Sequence, residues 1–239
     1  MTSGRILVSV ARVALARAAR RGGTWGLLAL ALLPPVLGTV LGALGHGATV
    51  TALPIAIRLV APLLVAALVA GPVGEQFERR TVLYYFLRPV SRTAVLAGEW
   101  LGYAALVALT LGLAGAFLAV ADAFTGAPGL GSLLRIPLAL AVEGGVLAGL
   151  CLGLAVLVPR QALLATIGVL ALTEGGLPAL PGNFHYVSLG YHVGQLAGLA
   201  TEPATGAGLP LWVSGVALLA YGIVPLVVAA RVVEERDLV

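Results

Sequence analysis

Long apolar runs constrain this chain more than any other feature of its sequence. Each run has about 20 residues and, at a rise of 1.5 Å per residue, is long enough to cross a hydrocarbon core of about 30 Å. The alternating pattern of a membrane β-barrel is absent, and the Leu, Ala and Val content favours helices. We therefore predict an all-α integral membrane protein with six transmembrane helices, at Trp25–Leu44, Pro54–Gly74, Thr93–Ala121, Leu133–Val158, Gln161–Pro181 and Leu209–Ala230.

Composition supports this class and divides the chain into three parts. Of the 239 residues, 60% are hydrophobic and only 10% are charged, whereas soluble domains carry about 25% charged residues. The predicted parts are a basic N-terminal segment (1–24), a six-span domain (25–230) and a charged tail (231–239). Residues 5–21 form either a basic helix on the membrane surface or a flank that only orients the chain.

The arginines predict the orientation of the chain. All 14 basic residues are arginine, and twelve fall on the side of the predicted membrane that holds both termini. Basic residues concentrate on the cytoplasmic side of membrane proteins. Both termini are therefore predicted to be cytoplasmic, in the inner membrane of a bacterium or archaeon. Only Arg58 and Arg135 lie toward the other side.

The same residue counts exclude several chemistries. With no lysine, the chain has neither the P-loop lysine that contacts phosphates nor a lysine for a Schiff base. Cys151 is the only cysteine, which excludes an intrachain disulfide and a cysteine-based metal site. No GxSxG or HExxH motif is present. We predict no catalytic residues, no cofactor bound by this chain and no nucleic-acid partner.

The segment between the second and third spans is the most informative part of the sequence. It begins with acids, continues through an apolar stretch and ends with bases before Pro89. Acids at the start and bases at the end suit a helix dipole, and the residue before a proline avoids helical geometry. A short amphipathic helix on the cytoplasmic face follows from this pattern. Ser91 is placed to cap the next helix, with Arg92 at the membrane surface.

This segment resembles the signature of type-2 ABC exporter permeases, an acid and a Gly-Thr pair, then an apolar helix, Pro-Val/Ile-Ser-Arg and a Gly-Lys pair. The chain matches it at Glu78, Thr81, Leu87, Pro89, Val90, Ser91, Arg92 and Gly98. Arg80 replaces the glycine and Glu99 replaces the lysine. The charged end of the chain, from Arg231 to Leu238, also resembles the family's tail.

The resemblance implies a coupling helix within residues 75–88 that docks on an ATP-binding subunit. It further implies two such subunits, which bind ATP and Mg²⁺, and a second permease chain, identical or different. The expected coupling residues are Glu75, Glu78, Thr81, Arg88, Pro89, Ser91 and Arg92.

Three charges lie at one level inside the predicted spans. Arg58, Glu143 and Glu174 are each about 21–25 Å from the cytoplasmic end of their span. A lone charge in hydrocarbon is costly, so these side chains should pair or face water. Arg58 is expected to neutralise Glu143, Glu174 or both, as a static pair or as the lining of a substrate path. An arginine that only reaches the outer interface is the alternative.

Other interpretations stay open at this stage. Glu143 and Glu174 also fit a proton-coupled secondary transporter, and an intramembrane enzyme or assembly factor is a further alternative. The loop before the sixth span contains a moderately apolar stretch, Tyr186–Leu199, that predicts a short interfacial or re-entrant helix. His185 and His192 in that loop are either residues at headgroup level or, with Glu202, metal ligands.

Overall fold

A computed structural model describes residues 3–43, 48–79, 91–124, 130–181, 183–199 and 209–235. All of its regular structure is helical, and no strand occurs among these residues. The α-helices are α1 (Ser3–Arg20), α2 (Gly22–Leu30), α3 (Leu33–Ala43), α4 (Ala48–Ile55), α5 (Ala61–Val65), α6 (Gly71–Glu78), α7 (Arg92–Phe124), α8 (Leu130–Leu157), α9 (Ala162–Ala171), α10 (Leu189–Ala197) and α11 (Leu211–Glu235). Three π turns (Ala56–Val60, Ala66–Ala70 and Leu172–Gly176) and three 3-10 turns (Pro159–Gln161, Leu177–Ala179 and Asn183–Val187) complete the helical structure.

Six helical segments are long and apolar enough to cross a membrane, so the chain is a multi-pass membrane protein, as predicted. They are Gly22–Gly42, Ala52–Glu78, Arg92–Phe124, Leu133–Leu157, Pro159–Ala179 and Leu211–Glu235. An even number of crossings returns the chain to the side on which it begins. We call this side the terminal side and the opposite one the far side.

Three spans are longer than the sequence predicted. The second span continues as helix through Glu78, the third reaches Phe124, and the sixth ends at Glu235. Polar residues shorten the apparent apolar run in the sequence, but they do not interrupt the backbone hydrogen bonds of a helix. The third span, with 33 residues, is about 50 Å long, which exceeds a bilayer core.

The fourth span is the centre of the bundle. Helix α8 contacts α7 and α11 most extensively, and it also contacts the second and fifth spans. Its core side chains, such as Leu147 and Leu152, are fully buried. Only a minority of the residues in the first, fifth and sixth spans is buried, so these spans lie at the outside of the bundle.

Small residues allow α8 to approach its neighbours closely. A Cβ atom added at Gly149 would lie 2.5 Å from the carbonyl oxygen of Gly222 in α11, and one at Gly153 would lie 2.6 Å from Cβ of Pro225. On the other side of α8, a Cβ at Gly115 of α7 would lie 2.9 Å from Cα of Pro137. The backbones themselves therefore form these helix interfaces, which is typical of membrane bundles.

We expect Gly149→Ala to destabilise the bundle because its methyl group would meet the α11 backbone. Overpacking of this kind costs about 1–3 kcal/mol. Thermal unfolding of the detergent-purified protein measures the change. Gly145→Ala is the matched control, since a Cβ atom there meets nothing within 4 Å. Equal melting temperatures for the two variants would contradict the packing described here.

Candidate functional site

Helix α1 and the second and third spans meet at the terminal side. One side of α1, which includes Val10 and Ala14, is buried against α7. Gly98 and Gly102 of α7 permit this contact, because added Cβ atoms would lie 2.7 Å from Cβ of Val10 and 2.6 Å from the carbonyl oxygen of Ala11. Of the two alternatives that the sequence left open for residues 5–21, the structure has the helix, and this helix packs against α7.

Two arginines hold this junction electrostatically, Arg17 in α1 and Arg21 directly after it. Arg17 donates from Nη1 to Oε1 of Glu99 at 3.1 Å and to Oε1 of Gln76 at 2.9 Å. Arg21 pairs with Glu75 at 3.3 Å. Glu99 is the residue that departs from the permease signature, and its buried carboxylate binds an arginine of α1.

The acids predicted to begin the coupling helix lie in the last turn of the second span. Glu75 also pairs with Arg79, one turn later, at 2.7 Å. Its two arginine partners offset the unfavourable position of an acid near the C-terminal end of a helix. Glu78 is exposed in the same turn. The other predicted residues of this segment, Thr81, Arg88 and Pro89, lie outside the described residues.

The beginning of the third span is fixed on two sides. Ser91 caps α7 as predicted, because its Oγ accepts a hydrogen bond from the backbone N–H of Ala94 at 3.2 Å. Arg92 donates from Nη1 to the carbonyl oxygens of Val233 at 2.7 Å and Glu234 at 3.4 Å. These are among the last carbonyl groups of α11, which lack helical partners and attract a cation.

Glu174 caps a helix at the far side. Its Oε1 accepts the backbone N–H of Leu189 at 2.7 Å, and its Oε2 accepts the N–H of Gly190 at 2.9 Å and the hydroxyl of Ser188 at 2.8 Å. Ser188 in turn accepts the N–H of Tyr191 at 3.1 Å. The carboxylate thus lies on the N-terminus of α10, where the helix dipole favours an anion.

Helix α10 is the short helix that the sequence predicted before the sixth span. A side chain at Gly190 would block its contact with Glu174, since a Cβ atom there would lie 2.6 Å from Oε2. His192 joins α10 to α11 through Ser214, with Nδ1 and Oγ 3.1 Å apart. Its Nε2 lies 2.9 Å from the carbonyl oxygen of Tyr186. Because a carbonyl only accepts, Nε2 carries the hydrogen and Nδ1 accepts from the Ser214 hydroxyl.

The contacts of the two histidines in this region indicate a structural role for both. Burial lowers the pKa of His192 below the usual value, and both of its ring nitrogens are already bonded. The ring centroids of His185 and Tyr186 are 4.0 Å apart. No group of three potential metal ligands occurs in the described part of the chain, and Glu202 lies outside it.

The three membrane charges come together only in part. Arg58 and Glu174 line one groove between the second and fifth spans. No ion pair of 4 Å or less joins Arg58 to Glu143 or Glu174 among the residues described. Glu143 is fully buried on α8, and neither of its oxygens has a hydrogen-bond partner there. Its charged neighbour is Glu174.

A proline follows each of the three π turns in the described part of the chain. Pro62, Pro72 and Pro178 each lie two residues after the turn ends. Proline lacks the N–H that would complete the preceding helical turn, and the wider turn restores a backbone hydrogen bond in hydrocarbon. Arg58 and Glu174 lie inside two of these turns. The spacing of charge and proline is visible in the sequence, and sequence reasoning missed it.

Comparison with known proteins gives no further assignment. No family model matches the chain, and no curated protein matches it significantly.

We expect Arg17→Glu to weaken the α1 junction, because two carboxylates would then face each other. Loss of hydrogen bonds to a charged group costs about 1.5–3 kcal/mol. The melting temperature should fall, and the double variant with Glu99→Arg should recover part of the loss. The control is Arg12→Glu on the exposed side of α1. No recovery in the double variant would contradict the pairing.

We expect Glu174→Gln to release the start of α10. An amide has only one acceptor oxygen, so one of the two backbone N–H donors loses its partner, at a cost of about 1–3 kcal/mol. Hydrogen exchange at Leu189 and Gly190 should become faster. Glu143→Gln is the control, since Glu143 makes no hydrogen bond within the described residues. Unchanged exchange in Glu174→Gln would show that the cap does not depend on its charge.

Proposed function

We propose that this chain is the membrane-spanning permease subunit of an ATP-driven ABC exporter. In this proposal the terminal side is cytoplasmic, in the inner membrane of a bacterium or archaeon. Two ATP-binding subunits supply ATP and Mg²⁺, and a second permease chain completes the translocation unit. The resemblance of residues 75–98 to the permease signature motivates the assignment, and the lack of lysine is consistent with nucleotide binding by a separate subunit.

One observation carries the proposal. The segment with the strongest resemblance is attached firmly at both of its ends. Gln76 joins the second span to Arg17 of α1, Glu75 pairs with Arg21 directly after α1, and Arg92 joins the third span to the last turn of α11. Force applied to the connection between these residues therefore acts on α1 and three spans together. A partner that pushes on this connection has the mechanical link that an ATP-driven exporter requires.

Exposed Glu78 is the described residue best placed to contact a partner. It lies in the last turn of α6, beyond the buried Val73 and Gly74. Its carboxylate makes no ion pair among the described residues. The charge is therefore available to a basic group on an ATP-binding subunit, whereas Glu75 already has two arginine partners.

The first test is co-purification from native membranes in mild detergent, followed by mass spectrometry. An ATP-binding cassette subunit in near-stoichiometric amount is the expected result. We expect Glu78→Arg to reduce its recovery severalfold without changing the melting temperature of the permease. The control is Glu235→Arg, which reverses an exposed acid at the end of the sixth span. Clean purification of the wild-type chain without such a subunit would overturn the proposal.

A proton-coupled secondary transporter is the second candidate, and buried Glu143 favours it. A fully buried carboxyl group without a hydrogen-bond partner in the described structure is costly in its charged form. Proton carriers use such groups. Transport that stops when the proton gradient is collapsed, while ATP is still present, would favour this candidate. Transport that stops on ATP depletion with the gradient intact would favour the exporter.

A further inference from the structure

A groove opens between the second and fifth spans on the outside of the bundle. Its volume is about 270 Å³. Most of its wall is apolar, and its polar side chains, Arg58 and Glu174, lie at one end. The apolar part includes Leu59, Leu63, Ile167 and Ala171. The groove therefore combines a charged end with an apolar channel.

The groove has a direction relative to the membrane. Along the second span, Arg58 comes before Leu63 as the chain runs from the far side to the terminal side. Along the fifth span, Glu174 comes after Ile167 as the chain runs back. The charged end thus faces the far side, and the apolar part extends about 10 Å toward the middle of the membrane.

Arg58 lies just inside the hydrocarbon boundary of the far leaflet. It precedes Glu75 by 17 residues, which places it about 25 Å from the terminal-side end of the span. A hydrocarbon core of about 30 Å ends close to this level. The arginine is therefore near the polar surface of the far leaflet, while the groove below it lies in the acyl-chain region.

Arg58 is the cation at this end of the groove, and the acid that lines the groove with it, Glu174, is bound to the start of α10. Both oxygens of Glu174 accept hydrogen bonds at the start of α10, and no described acid lies within ion-pair distance of Arg58. Its side chain is exposed to the outside of the bundle. A cation at this depth requires an anion or water, and a guanidinium group binds phosphate with paired hydrogen bonds.

We propose that this groove binds an anionic phospholipid of the far leaflet. The phosphate lies on Arg58, and one acyl chain follows Leu59, Leu63 and Ile167 toward the middle of the membrane. Along the membrane normal, the phosphate and the acyl chain of the lipid then follow in the same order as the Arg58 guanidinium and the apolar channel of the groove. The proposal does not depend on an ATP-binding partner, since every residue that it uses belongs to this chain.

Native mass spectrometry of the detergent-purified chain tests the charged end. Added phosphatidylglycerol should bind as discrete adducts, and phosphatidylcholine should bind more weakly. Arg58→Gln should lower phosphatidylglycerol binding about fivefold, the scale of one basic side chain at an anionic membrane surface. Arg58→Lys should retain part of the binding. The matched control is Arg135→Gln, an exposed far-side arginine outside the groove. Equal binding of the two lipids, or wild-type binding by Arg58→Gln, would overturn the proposal.

A second pair of variants tests the apolar channel with Arg58 intact. Ala171→Trp fills the groove and should lower phosphatidylglycerol binding severalfold. Leu172→Trp adds the same ring at the next position, which is exposed and outside the groove, and should leave binding unchanged. Melting temperatures of both variants identify a loss that is due to unfolding. Unchanged binding by a folded Ala171→Trp protein would show that the lipid does not enter the groove.

Discussion

Backbone groups at a helix end lack helical partners, and in a membrane little water replaces them, so charged side chains take this role at two places in the protein. Glu174 accepts the free N–H groups at the start of α10. Arg92 does the converse at the end of α11, where carbonyl groups are free. In both places a charged side chain completes the hydrogen bonding of a helix end. One charge and one helix dipole thereby satisfy each other, and two elements that are distant in sequence become joined.

The sequence predicts the parts of the structure that depend on local patterns. The six spans follow from hydropathy, the Ser91 cap from the residue type before a helix, and α10 from a moderately apolar stretch in a polar loop. What the sequence does not predict is the choice of partners. The sequence predicts Arg58 as the counterion of Glu174, whereas the structure gives this carboxylate a backbone N–H group fifteen residues later. Such a partner carries no signal in residue identity, because every residue but proline has an N–H group.

Residues at the terminal side show the same difference between local features that the sequence predicts and distant contacts that it does not. Glu99 was recognisable as a departure from a family signature, but only the fold brings Arg17 of α1 to it. The two residues are 82 positions apart. Gly98 and Gly102 make that approach possible, so a short stretch of α7 supplies both the space for α1 and the charge that fixes it.

The end of the second span is a further example. Glu75 and Glu78 mark the end of the apolar run in the sequence, while the helix of the second span continues through them because nothing there interrupts its hydrogen bonding.

The proline-linked π turns have a consequence for the geometry of the second span. An α-helix turns by about 100° per residue, and a π turn contains one extra residue before the next backbone bond forms. Two such turns, Ala56–Val60 and Ala66–Ala70, therefore offset the two ends of this span from a single helical register. A helical wheel drawn straight through the span assigns Arg58 and Glu75 to the wrong relative faces. Arg58 points into its groove in a register that an uninterrupted helix of the same length would not reach, and the missing N–H groups of two prolines maintain it.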